Sequence, residues 1–243
     1  MNHALQTLNS SLTFKMENKT GKNEKIVKFK LSPSTLNLMH ECPRCFWLST
    51  HKVWTRPTGI FPSLPSGMDG ILKTHFDKFM EKDKLPPELC DNSECKNLKL
   101  FDDKELLKEW RNSRKGLWFE DKEGNILHGG IDNLLINKTN NKIIVLDYKT
   151  RGFPLKDDTH EHYQDQLNIY AWLLEKLGHK VEDFAYLLFY HPKEVIETGE
   201  VVFNTDLKKM KISPEDAEKL FNKAIKMLNA DCPKEICVWC EKV

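Results

Sequence analysis

Three charged residues in two short apolar runs carry most of the chemistry this sequence offers. Gly129-Gly130-Ile131-Asp132-Asn133-Leu134-Leu135-Ile136 holds one acid, and Ile143-Ile144-Val145-Leu146-Asp147-Tyr148-Lys149-Thr150 ends in Asp-x-Lys. Both runs are apolar and rich in β-branched residues, and Asn140-Asn141 between them is a turn signal, which predicts two adjacent antiparallel strands. Side chains two apart on a strand share a face, so Asp147 and Lys149 point the same way and pairing brings Asp132 beside them. Two carboxylates and an ammonium at a sheet edge are costly to bury without a ligand, and a hard divalent cation would satisfy the acids. Metal-dependent hydrolysis is the chemistry such a patch suits. On its own, Asp-x-Lys is also a common salt-bridged strand end. The order of the segments around it gives the pattern weight.

The 243 residues, 40% hydrophobic and 30% charged, suit one sizeable α/β domain or a core with an appended lobe. A formal net charge of +1 excludes a global basic field, so a nucleic-acid partner would meet a local patch. No run has the length and apolarity of a transmembrane helix, and Met1–Lys30 is too polar for a signal peptide. The expectation is a soluble, cytoplasmic protein without a membrane partner. Seven cysteines in that setting point to metal ligation or inert thiols rather than a disulfide framework.

Residues 1–30 read as a mobile polar arm in which Lys19, Lys22, Lys25, Lys28 and Lys30 are either solvated or phosphate contacts. Ser32-Pro33 starts a helix, as N-cap and first helical residue, and that helix runs into Cys42-Pro43-Arg44-Cys45. Thr55–Gly67 is a Pro-rich loop, and Met68–Met80 is an amphipathic helix through Ile71, Leu72, Phe76 and Phe79, with His75 on it. Cys90 and Cys95, in the Leu85–Lys99 connector, read as ordinary thiols. Asp102–Arg114 is helical, and Leu117–Phe119 and Ile126–Ile136 are strands around the Asp121–Asn125 turn.

After Lys149, Arg151 stands beside the acid patch, either as a phosphate contact or as a solvated charge. His162–Leu177 is an amphipathic helix on which Gln166 and Tyr170, four apart, share a face. Phe184–Tyr190 and Glu200–Phe203 are strands, and Ser213-Pro214 opens a helix through Leu228. The chain closes with Cys232, Cys237 and Cys240. A Cys-x-x-Cys pair near each end, Cys42/Cys45 and Cys237/Cys240, is the spacing of a four-thiolate site; a redox dithiol explains either pair alone but not both.

Gly-x-x-Asp on one strand, Asp-Tyr-Lys-Thr on the next and Gln166-x-x-x-Tyr170 on the following helix resemble the PD-(D/E)XK nuclease superfamily. "LSPSTLNLMHECPRCFWL" resembles the opening of its RecB-type branch, which includes the small exonucleases of CRISPR adaptation. The resemblance runs from about Leu31 to Cys240. It implies a restriction-endonuclease-like α/β core (about 100–205) with a mixed central sheet flanked by helices. Segments 31–50 and 228–243 would add a small helical cysteine-cluster lobe, making 31–243 one domain. It also implies that Asp132, Asp147, the backbone carbonyl of Tyr148 and His75 hold Mg²⁺ or Mn²⁺. His75 departs from the family's usual spacing by one residue and is otherwise a surface or half-buried histidine.

Under the same resemblance Lys149 stabilises the transition state, and Tyr148, Gln166 and Tyr170 contact the DNA strand. The cysteines then hold a 4Fe–4S cluster, whereas spacing alone makes zinc the default. Relatives often draw three ligands from the C-terminal segment, which would put Cys232 in place of Cys45. The implied activity is a metal-dependent DNA nuclease, an exonuclease on single-stranded ends in repair, recombination or CRISPR-type processing, with protein partners there. An inactive DNA-binding module and a zinc-stapled interaction protein are the competing classes.

Overall fold

The computed structural model describes residues 28–241 and 243. Lys19, Lys22 and Lys25, with the rest of 1–27, lie outside the described residues. At the end of the expected arm Phe29 is buried and Lys30 already opens a strand.

Strand β1 (Lys30–Leu31) leads into helix α1 (Pro33–Glu41). Ser32 caps α1 reciprocally: Thr35 N–H donates to the Ser32 hydroxyl at 3.4 Å, and Ser32 N–H donates to the Thr35 hydroxyl at 2.7 Å. Cys42 is extended because Pro43 follows it, which separates α1 from α2 (Pro43–Thr50). Its thiol caps α2 by accepting Cys45 N–H at 3.4 Å. Helix α3 (Ser63–Met80) begins earlier than its apolar periodicity predicts, since a proline in the first turn gives up no helical hydrogen bond. A short α4 (Pro87–Cys90), strand β2 (Leu98–Leu100) and α5 (Lys104–Trp110) follow. Next come β3 (Leu117–Glu120), β4 (Ile126–Gly129), β5 (Asn133–Asn137), β6 (Ile143–Thr150) and α6 (Gln164–Lys176). Strands β7 (Phe184–Val195) and β8 (Val201–Lys211) and helix α7 (Pro214–Leu228) complete the fold.

The fold is α/β, with mixed sheets flanked by helices. The main sheet runs β2-β5-β6-β7-β8, with β6 and β7 parallel and the other neighbours antiparallel. The β5–β6 turn is where Asn140-Asn141 places it, and Asn141 takes a left-handed φ of 59°. The single strand expected over Ile126–Ile136 is instead two. Strand β4 belongs to a small β1-β4-β3 sheet, and β5 to the main one. Between them the chain crosses under the end of α5, where Ile131 N–H donates to the Trp110 carbonyl at 3.1 Å. A Cβ on Gly130 would come within 3.0 Å of the Arg111 carbonyl oxygen. Strand β8 is much longer than Glu200–Phe203, because its polar, lysine-bearing sequence belongs to a sheet edge that faces water.

Leu134, Leu135, Ile144–Leu146 and Leu187–Phe189 fill the middle of the sheet and are fully buried. Helix α3 covers one face, with the Phe76 ring centroid 4.6 Å from that of Tyr148. Helix α6 covers the other and is backed by α7 through Trp172 and Phe221. The α1–α2 segment and the C-terminal tail meet around the cysteines.

Candidate active site and cysteine centre

Strand β6 carries the alternation that makes the site. Tyr148 points to the α3 face, where its hydroxyl accepts from the Asn133 side chain at 2.8 Å. Asp147 and Lys149 point to the α6 face and pair directly with each other. Gln166 on α6 closes the group: its amide oxygen accepts from Lys149 Nζ at 3.1 Å. Its amide nitrogen donates to Asp147 Oδ1 at 3.3 Å and to the Tyr170 hydroxyl at 2.8 Å. The Tyr163 ring lies 4.5 Å from the Lys149 ammonium.

Asp132 stands at the crossover just before β5. Its Oδ2 accepts Tyr148 N–H at 2.9 Å, and its own backbone carbonyl accepts from Arg111 Nε at 2.8 Å. The fold therefore brings Asp132, Asp147 and Lys149 together at one end of the interior β5–β6 pair and adds Gln166 and Tyr170 from α6. Burial, together with the neighbouring Asp132, pushes the Asp147 carboxyl up to about 7 against the opposing pull of Lys149. Burial works against the Lys149 ammonium, but the Asp147 charge outweighs it and keeps Lys149 above an ordinary lysine.

Other expected site residues are placed differently. Tyr148 is buried on the far face, so its ring is turned away from any strand lying over Asp147, and only its backbone faces the site. Tyr170 is 4% exposed and supports Gln166 rather than offering an open stacking face. His75 pairs with Glu88 at 3.1 Å, and Glu88 also accepts the Tyr190 hydroxyl at 3.0 Å. Residue 75 lies almost across the helix from residue 73 at 3.6 residues per turn, so that His75 meets Glu88 while Lys73 meets Asp132. Arg151 stands just beyond Lys149 with its Nε buried and without a hydrogen-bond partner.

Sequence reasoning missed Lys73, Asp69 and Arg111. Lys73 Nζ lies 3.0 Å from Asp132 Oδ1 and 2.8 Å from Asp69 Oδ2, and Arg111 pairs with Asp77 at 2.9 Å. Burial lowers the Lys73 pKa, but Asp132 and Asp69 outweigh it and hold it above the usual lysine value. The signal was present as Asp69-x-x-x-Lys73-x-x-x-Asp77, one face of α3, but such a run also reads as a solvated ion-pair face.

A groove of about 890 Å³ opens beside the site between the start of α1 and the start of α6. Gln166 and Tyr170 form part of its wall, together with Gly129, Gly130, His128 and Ser113. In the cysteine centre Cys42, Cys45, Cys237 and Cys240 place their sulfurs within 4.8 Å of one another. Cys45 and Cys237 are 3.5 Å apart, and Cys42 and Cys240 are 3.9 Å apart. Burial pushes the Cys45 thiol up to about 12. In Cys237 burial acts the same way, but the backbone N–H groups of Cys240 and Trp239 outweigh it and draw the thiol down to about 6. Cys232 lies outside the group and accepts from Arg44 Nη1 at 3.5 Å.

The chain matches the PD-(D/E)XK nuclease superfamily over residues 65–241, most of its length. It belongs to that superfamily. Members are metal-dependent nucleases, so a nucleic acid and a divalent cation are the substrate and cofactor classes that accompany the fold. The stretch matched to the superfamily includes Asp132, Asp147, Lys149 and Gln166 as well as the C-terminal cysteines. No curated protein matches the chain. Among the described residues no helix is long and apolar enough to cross a membrane.

Proposed function

We propose that this PD-(D/E)XK protein is a Mg²⁺- or Mn²⁺-dependent deoxyribonuclease of RecB type, with 31–243 as its nuclease domain. The observation that carries the reading is that Asp132, Asp147 and Lys149 converge beside Gln166 and an open groove. The donors suit a hard cation: two neighbouring carboxylates at one end of the β5–β6 pair, with the buried Asp147 Oδ2 against the Lys149 ammonium. Asp132 and Asp147 would hold the cation, with the backbone carbonyl of Tyr148. Bound there, it would supply Lewis-acid stabilisation of the phosphate and an activated water.

The chain's own residues set the rest. Gln166 fixes Lys149 and Asp147 relative to each other, and Tyr170 fixes Gln166. Lys149 presents a positive charge where the phosphate gains charge. Arg151, with its unpartnered Nε, is the phosphate contact next along the strand. The RecB-type resemblance makes single-stranded ends the preferred substrate, with exonuclease action in repair, recombination or CRISPR-type processing.

For the cysteines the sulfur spacing favours one tetrahedral ion, since metal–sulfur bonds of about 2.3 Å put the sulfurs about 3.8 Å apart. The family resemblance favours a 4Fe–4S cluster, whose ligand sulfurs stand further apart. Metal and labile-sulfide analysis of anaerobically purified protein separates zinc from iron–sulfur.

Labelled single- and double-stranded DNA with Mn²⁺, comparing wild type with Asp147→Ala, tests the nuclease reading. Cleavage by the wild type alone supports it. Binding without cleavage would instead make the chain a DNA-binding module. Neither binding nor cleavage would leave a metal-stapled interaction protein.

A further inference from the structure

Each acid of this site has a lysine of its own. Lys149 serves Asp147, while Lys73, from the opposite side of the sheet edge, serves Asp132. Asp132 Oδ2 already accepts Tyr148 N–H at 2.9 Å, which leaves Oδ1 as its less encumbered oxygen. The ammonium of Lys73 lies on Oδ1 at 3.0 Å, and reaches back to Asp69 Oδ2 at 2.8 Å. Lys73 and Asp132 are mostly buried, with side chains 20% and 15% exposed, so water screens this contact poorly. A divalent cation needing Asp132 Oδ1 must displace the ammonium and then tolerate a positive charge nearby. Asp69, one turn earlier on α3, is placed to keep the displaced ammonium.

We propose that Lys73 is a cation latch: it occupies the metal-facing oxygen of Asp132 in the metal-free protein and transfers to Asp69 when Mg²⁺ or Mn²⁺ enters. Lys73 is then a positioning residue that sets the cation concentration at which the site loads, and Asp69 is its resting partner. The inference rests on Asp132 and Asp147 being the cation ligands.

Calorimetric Mn²⁺ titration of the full chain without DNA tests it, with Asp132→Asn defining the heat that belongs to this site. Lys73→Met keeps the length and removes the charge, and should bind Mn²⁺ at least tenfold more tightly than wild type. Lys73→Arg keeps the charge and should bind no more tightly. Asp69→Asn, which leaves the ammonium to Asp132 alone, should bind several-fold more weakly. Equal or weaker binding by Lys73→Met overturns the latch. If that variant does not fold, unchanged or tighter binding by Asp69→Asn, or tighter binding by Lys73→Arg, overturns it. A wild type whose Mn²⁺ binding survives Asp132→Asn would remove the ligand assignment and the latch together. Loss of binding in Asp132→Asn with no gain in Lys73→Met would remove the latch alone.

Discussion

Asp147 is the most deeply buried carboxyl among the described residues. Its carboxyl is 2% exposed, and burial raises it to about 7. A raised carboxyl favours the folded state when protonated. Its contribution to metal-free stability is therefore present below about pH 4, the unfolded value, and is lost as pH rises toward about 7. Cation binding needs the ionised form and so has the opposite slope. Mn²⁺ affinity should rise from about pH 5.5 to about pH 7.5 and then level off, with proton release measurable by calorimetry in two buffers of different ionisation enthalpy. An affinity that is flat across that range would mean Asp147 is not a titrating ligand. Asp147 and Lys149 were legible in the sequence because alternation on one strand fixes their common face. Lys73 was not, because its pairing with Asp132, just before β5, depends on how α3 is rotated against the sheet, which no local pattern encodes.

At the scale of elements, the site depends on how closely α6 approaches β4. A Cβ on Gly129 would lie 2.6 Å from Tyr170 Cε1, and the Tyr170 hydroxyl in turn holds Gln166. Gly129→Ala should therefore push the ring, and with it the Gln166 bridge. Overpacking of this kind costs about 1–3 kcal/mol, and DNA cleavage should fall at least tenfold. Gly152→Ala, with nothing within 4 Å of its Cβ, is the neutral comparison in both melting and rate.

Tyr170→Phe removes only the hydroxyl. It should slow cleavage while leaving Mn²⁺ affinity within about twofold, since Tyr170 reaches Asp147 only through Gln166 and one intramolecular hydrogen bond contributes a net of about 1 kcal/mol. A collapse of metal affinity in that variant would make the tyrosine part of the cation site instead. Helix α6 and the Gln166/Tyr170 face were legible from periodicity. The break between β4 and β5 was not read, although Gly129-Gly130 and Asp132-Asn133 are residues depleted from strands, because the apolar residues on either side continue the run. The crossing is imposed by α5, through the Trp110 carbonyl and Arg111.

Across the whole molecule the two chain ends are tied at the cysteines. Cys42 and Cys240 stand 198 positions apart in sequence yet have sulfurs 3.9 Å apart. The paired spacing was legible because each Cys-x-x-Cys is a local turn: Cys45 N–H donates to the Cys42 sulfur, and Cys237 N–H to the Cys240 sulfur. Which four cysteines stand together depended on tertiary placement, which sets Cys45 in the group and Cys232 against Arg44.

A metal joining the pairs closes a loop of that size, and the chain-entropy estimate for such a closure is about 5 kcal/mol. Removing a ligand should therefore lower the melting temperature far more than it slows hydrolysis, which proceeds at a separate group of residues. Cys45→Ser should lose the metal and melt well below wild type, while Cys232→Ser should keep both metal and melting temperature. The measurement is metal content by elemental analysis beside thermal melting, with a chelator added to wild type as the third arm. Chelated wild type should melt like Cys45→Ser. Metal lost in Cys232→Ser and retained in Cys45→Ser would instead assign the fourth ligand to Cys232 and require the C-terminal tail to swing its thiol away from Arg44.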